Sequence, residues 1–157
     1  MTDLHPLSED IGFLLTRVSA LMMDSANKAL ASFDMRVRSY SVLVLACERD
    51  GGLGQRQIAQ RLGLDPSQIV ALVDDLEGRG YLSRQVDPDD RRNKRVEATD
   101  LGRAVCTQAQ HAVNLGRADV LDGLPAGVDV TALRGALRAV VEQPREQTRE
   151  QAREKPR

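Results

Sequence analysis

Arg84, Arg91, Arg92, Lys94 and Arg95 crowd five cations into residues 84–95, set against Asp87, Asp89 and Asp90. Guanidinium and ammonium groups at that density suit phosphate chemistry. Each offers several N–H donors, and each phosphate they neutralise releases condensed counterions. The formal net charge of the 157-residue chain is only −1, so total charge does not announce a polyanion partner. The distribution does: residues 1–52 hold five basic and seven acidic side chains, with no comparable cluster.

Other chemistries find little to work with. Cys47 and Cys106 are the two cysteines, too few for a disulfide scaffold, and neither belongs to a C-x-x-C pair that would suggest zinc or a redox motif. His111 follows Cys106 by five residues, a spacing that faces a nucleophile and base poorly on one helix. No third group is placed to orient them, so catalytic residues and enzyme activity are not expected. No His, Cys and Asp group has metal-ligand spacing, and His5 sits in the leading segment; no metal or cofactor is expected. Aromatic residues are 3% with no tryptophan, which leaves no stacking platform for single strands and makes duplex DNA the better polyanion. An apolar content of 41% is enough to fold without staples. The opening MTDLHPLSEDIGF has no basic region followed by an apolar run, and no stretch approaches the ~18 apolar residues of a membrane span. A cytoplasmic location without a membrane partner is expected.

These cations need a frame. Ile11, Leu14, Leu15, Val18, Leu21 and Met22 recur every three or four residues, predicting a first helix to about Ala31. A second is predicted over Tyr40 to Glu48, ended by Asp50-Gly51-Gly52, and a third over Gln55 to Leu62, with Gly63 as its C-terminal glycine. Asp65-Pro66-Ser67-Gln68 signals the start of a fourth: aspartate as N-cap, proline in the first turn, and Gln68 spaced to reach back in a variant capping box. Its stripe Ile69, Leu72, Val73 and Leu76 faces a core, leaving Ser67, Gln68, Ala71, Asp74 and Asp75 outward. Two alternating runs, Tyr81 to Val86 and Arg95 to Thr99, predict a hairpin around the charged DPDDRRNK. Thr99 then caps a fifth helix to about Leu121, with Leu101, Val105, Ala109, Ala112 and Val113 inside. A sixth carries Leu133, Ala136, Leu137, Val140 and Val141. Cys47 and Cys106 fall on core stripes. The last fifteen residues, QPREQTREQAREKPR, repeat Arg-Glu every four positions with almost nothing apolar to bury.

The third and fourth helices, joined by Gly63-Leu64-Asp65, form a helix-turn-helix, in which the second helix enters a major groove and the first braces it. A packed helical hairpin is the alternative. A hairpin bearing Arg91, Arg92, Lys94 and Arg95 directly after the second helix favours the DNA reading, the rival for the hairpin being a solvated loop.

The continuous stretch LGQRQIAQRLGLDPSQIVALVDDLEGRGYLSRQVDPDDRRNKRVEATDLG resembles, in order and spacing, the third helix, recognition helix, wing and fifth-helix start of the multiple antibiotic resistance regulator (MarR) family, and the resemblance extends over roughly Ile11 to Val141. The resemblance implies that Asp90 and Arg92 are the wing Asp-x-Arg, the arginine contacting DNA and the aspartate orienting it, with Arg91 and Lys94 beside them on phosphates. Gly54 departs from the family's Ser or Thr cap, and Ala98 from its usual Leu. Val70-Ala71 replace a polar pair on the reading face. Ser67 and Gln68 keep hydrogen-bonding groups, and glutamine suits adenine, whereas Val70 and Ala71 offer apolar contact to a thymine methyl. Asp74 and Asp75 would repel phosphates, confining the approach to the first turns of that helix.

The fold expected is mainly α: a winged helix-turn-helix with a helical dimerisation region, about six helices and a small β-hairpin. Residues 8–35 and 99–142 would form the dimerisation region, 36–98 the DNA-binding lobe and 143–157 a charged tail. The resemblance implies a homodimer built on the first, fifth and sixth helices, and apolar stripes too extensive for one small chain to cover agree with it. The expected function is a ligand-responsive repressor on a palindromic duplex. The resemblance implies a small, often aromatic and anionic effector, to which the sequence assigns no residue. Two rivals remain: a thiol-based redox-sensing regulator, and a winged-helix protein-interaction module.

Overall fold

The computed structural model describes residues 6–87 and 94–143. Its elements are α1 (Ile11–Leu30), α2 (Val37–Cys47), β1 (Leu53–Gly54), α3 (Gln55–Leu62), α4 (Pro66–Gly78), β2 (Leu82–Val86), β3 (Lys94–Ala98), α5 (Asp100–Leu121) and α6 (Val130–Val141). The chain divides into two units, residues 1–122 and 123–157. No helix among the described residues is long and apolar enough to cross a membrane.

The core of the first unit gathers Leu30 of α1, Val42, Leu43 and Ala46 of α2, Ile58 of α3, Ile69, Val73 and Leu76 of α4, Leu82 and Val96 of the sheet, and Cys106, Ala109 and Val113 of α5. Burying that much apolar surface supplies most of the drive to fold. α1 and α5 pack closely where Ser25 donates to the Gly116 carbonyl at 2.7 Å. Only the C-terminal third of α1 contributes to this core; Ile11, Leu14, Leu15, Val18 and Leu21 are exposed in the single chain. The second unit contains α6, started by Asp129, whose carboxylate accepts from the amides of Thr131 and Ala132; none of its residues is buried.

Four expectations are adjusted. α2 begins at Val37, three residues before Tyr40, because Asn27 Oδ1 accepts the Val37 amide at 3.0 Å and satisfies an N-terminal orphan donor. The sheet has three strands in the order β1-β3-β2, all antiparallel, the two-residue β1 being unforeseen. Leu101, expected inside, is 54% exposed, while Gly102 and Cys106 face the core. Gln68 forms no capping box: its side chain makes no hydrogen bond among the described residues. A glutamine contact of that kind occurs at α3 instead, where Gln57 Oε1 accepts the Gly54 amide at 3.1 Å, the half of a capping box that needs no side chain on the cap residue.

Candidate nucleic-acid interface

α3 ends where Gly63 takes a left-handed conformation, φ 63°, and the chain turns within Gly63-Leu64-Asp65 into α4. Asp65 accepts from the Ser67 amide at 2.8 Å and the Ser67 hydroxyl at 2.6 Å, which hold its carboxyl below the usual carboxylate range. Ile69, Val73 and Leu76 are driven into the core, so Ser67, Gln68, Val70 and Ala71 all project from the opposite side into solvent. Gln68 keeps its full donor and acceptor capacity. Ser67 is committed as a donor and retains only its acceptor lone pairs for a partner.

The strands follow at once. β2 and β3 pair from Leu82↔Ala98 to Val86↔Lys94, and β1 lies along the other edge of β3. Lys94 is exposed at the described end of β3. Arg95 is part-buried, its Nη2 2.9 Å from Asp87 Oδ1 and its Nη1 3.5 Å from the Gly51 carbonyl. Asp90, Arg91 and Arg92 lie outside the described residues. So the structure gathers the exposed face of α4 and the strands that carry the cationic segment on one lobe, without describing the segment itself.

Two arginines organise this lobe: Arg79, to which the sequence assigned no role, and Arg84, counted among the phosphate-suited cations but turned inward here onto acceptors of the chain itself. Arg84 on β2 reaches Asp74 Oδ1 and Glu77 Oε2 of α4, and its Nε donates to Gln55 Oε1 of α3 at 3.3 Å. Its own backbone amide donates to Glu77 Oε1 at 3.0 Å. Burial alone would lower the guanidinium pKa, but the hydrogen bonds to Asp74 and Glu77 outweigh it and hold the group above its ordinary value. Arg79, just past α4, pairs through Nε with Asp75 at 3.1 Å and donates from Nη1 to the Asp34 carbonyl at 2.7 Å. Asp34 is the one described non-glycine residue with positive φ, 51°. Asp74 and Asp75 are thus each met by an intrachain cation, which weakens the phosphate repulsion expected of them.

At the root of the hairpin, Thr99 joins the α4–β2 turn to α5. Its amide donates to the Tyr81 carbonyl at 3.0 Å, its hydroxyl donates to the Gly80 carbonyl at 2.6 Å, and the hydroxyl oxygen accepts the Gly102 amide at 3.0 Å. The Thr99 cap expected from sequence is therefore also a tertiary clip.

Cys47 is half-buried and Cys106 buried, as core stripes predict, but they are neighbours: a hydrogen bond between their side chains lowers the Cys47 pKa and raises that of Cys106. Burial opposes the Cys47 shift and Arg103 reinforces it. No group of three metal-ligating side chains occurs among the described residues. A groove of about 610 Å³ between α1 and α5 is lined by Leu21, Asp24, Ser25, Lys28, Gly116 and Val120 among others, with Lys28 Nζ 2.8 Å from Asp24.

Residues 37–94 match the family model described as the MarR family. CouR from Rhodococcus jostii RHA1, in a structure bound to p-coumaroyl-CoA, is 47% identical with a TM-score of 0.81, over 90% of this chain and 98% of that one. A transcriptional regulator (MarR family) from Rhodococcus sp. RHA1 is 46% identical with a TM-score of 0.83, over 90% and 99%. The transcriptional repressor CouR bound to a 23-mer DNA duplex is 32% identical with a TM-score of 0.75, over 85% and 94%.

Proposed function

The chain belongs to the MarR family of transcription regulators, and on that premise we propose that it is a cytoplasmic, ligand-responsive repressor that binds a palindromic duplex as a homodimer. The observation that carries the reading is the exposed Ser67, Gln68, Val70 and Ala71 face of α4 standing on the same lobe as the strands that bear the cationic segment. Gln68 reads a base edge in the major groove, Ser67 accepts, and Val70 and Ala71 meet thymine methyls. Arg92, oriented by Asp90, enters the minor groove, where a narrow A·T-rich groove attracts arginine. Arg91 and Lys94 neutralise phosphates, and Arg95, part-exposed beside Asp87, joins them at the loop end of the paired strands.

Residues 8–35 and 99–142 form the dimerisation region, 36–98 the DNA-binding lobe and 143–157 a charged tail. The exposed apolar side chains of α1, and separately of α6, support a partner copy, since monomers rarely leave such stripes in water. Two-fold symmetry then sets two α4 helices about one DNA turn apart. The effector belongs to the small, often aromatic and anionic molecules that the family resemblance implies; because a relative 47% identical is described bound to p-coumaroyl-CoA, aromatic acyl thioesters are the class to try first. Such a ligand acts only through unequal affinity for the DNA-competent and incompetent states.

A single experiment tests the core of this: selection of bound genomic fragments, then titration of the enriched duplex at several salt concentrations. Enrichment of a two-fold symmetric sequence, tight binding that weakens steeply with salt, and scattering mass at twice the 17.2 kDa chain support it. Weak, salt-insensitive association would move the reading to a protein-interaction module.

A second reading rests on the adjacency of Cys47 and Cys106. If a peroxide oxidised the pair to a disulfide, α2 and α5 would be tied and DNA released. Release by peroxide that is absent from the Cys47→Ser, Cys106→Ser double variant supports it.

A further inference from the structure

Among the side chains outside the DNA-facing set, Arg84 makes the most connected group of bonds: it joins β2 to α3 through Gln55 and to α4 through Asp74 and Glu77. Its side chain is 16% exposed, against 59% for Asp74 and 38% for Glu77, so the guanidinium is folded inward under the two carboxylates and is not displayed to a ligand. The acceptors leave the fork little freedom, because a planar guanidinium holding three oxygens on two helices fixes an angle as well as a distance. Asp74 lies one turn beyond Val70 and Ala71, on the flank of the exposed face.

We propose that Arg84 is a positioning residue for DNA recognition, locking the hairpin to both helices of the helix-turn-helix so that the reading face of α4 and the cationic segment meet one duplex in a fixed register. The inference rests on the DNA-binding reading above. Arg84 touches neither base nor phosphate in this role; it acts by holding α4 at one angle to the strands. Without it, flexible lysines and arginines still find phosphates on any duplex, while base contacts, which tolerate little misplacement, fail.

The test compares the unaltered chain with Arg84→Gln, Arg84→Lys, Asp74→Asn and the Arg84→Gln, Asp74→Asn double variant, each confirmed folded by circular dichroism. Each is titrated on the selected palindrome and a scrambled duplex across salt concentrations. The expected result is a loss on the order of tenfold on the palindrome for Arg84→Gln, with little change on scrambled DNA and an unchanged salt slope. Arg84→Lys also loses affinity, since it keeps the charge without the fork. Asp74→Asn weakens the unaltered chain but adds nothing once Arg84 is gone. Three results overturn the inference while leaving the DNA-binding reading intact: full affinity in Arg84→Gln; full rescue by Arg84→Lys, which makes charge alone sufficient; or a salt slope reduced by about one per protomer, which makes Arg84 a phosphate contact. Failure of the unaltered chain to bind any duplex overturns the DNA-binding reading itself, and this inference with it.

Discussion

Replacing Gly102 with alanine puts a methyl group where the backbone of the α4–β2 junction already lies. The added Cβ would stand 2.0 Å from the Tyr81 carbonyl oxygen, 2.8 Å from its carbon and 3.1 Å from its Cα. Comfortable contacts of this kind begin near about 3.5 Å, so the junction must retreat by roughly 1.5 Å. That carbonyl accepts the Thr99 amide at 3.0 Å, and the retreat breaks the bond. One lost backbone hydrogen bond costs about 0.5–1.5 kcal/mol and overpacking about 1–3 kcal/mol, together about 1.5–4.5 kcal/mol. With a slope of roughly 2 kcal/mol per molar, the urea midpoint falls by roughly 1–2 M at fixed protein concentration. Because Tyr81 immediately precedes β2, the hairpin moves with it, and affinity for the selected duplex falls as well. Gly78→Ala is the control: nothing lies within 4 Å of its Cβ position, and its midpoint is expected to hold or rise. A Gly102→Ala midpoint within about 0.3 M of the unaltered chain would refute the claim that α5 must touch the Tyr81 backbone.

Arg91→Ala and Lys94→Ala are expected to weaken all duplexes alike and to flatten the plot of log affinity against log salt by about one unit per lost phosphate contact, measured by titration. Gln68→Ala is expected to cost on the order of 1–3 kcal/mol per bidentate base contact on the selected site and little on scrambled DNA; an equal loss on both would remove it from the reading face. Asp65 has its folded pKa below its ordinary value through bonds from Ser67, so its contribution to α4 is fully present above the ordinary carboxylate value of about 3.9 and is lost as pH falls through the folded value. Carboxyl NMR titration checks this, and a midpoint at or above the ordinary value contradicts it. Iodoacetamide is expected to label Cys47 before Cys106 in the folded protein, since Cys47 is the more exposed and its pKa is lowered; mass spectrometry giving the reverse order would count against the geometry of the pair.

The sequence by itself determined the helix-turn-helix and its borders, because helix ends are decided within three or four residues. Gly63 needs no partner to turn left-handed, Asp65 caps through its neighbour Ser67, and Thr99 caps through Gly102, so all three ends fall where the residue types place them. The exposed face of α4 was legible for a similar reason, since a 3.6-residue period assigns inside and outside along one element. What joins elements was not legible. Arg84 meets Gln55 across 29 positions, Arg79 meets Asp34 across 45, and β1 exists only through its pairing with β3. The two cysteines were each placed on a stripe, but the sequence holds nothing that turns those stripes toward one another. The phase of α5 shows the limit most clearly. Hydrophobicity ranks Leu101 above Gly102 for the interior, yet the Tyr81 backbone approaches so closely that only a residue without a Cβ fits, and the tertiary contact decides which side faces in.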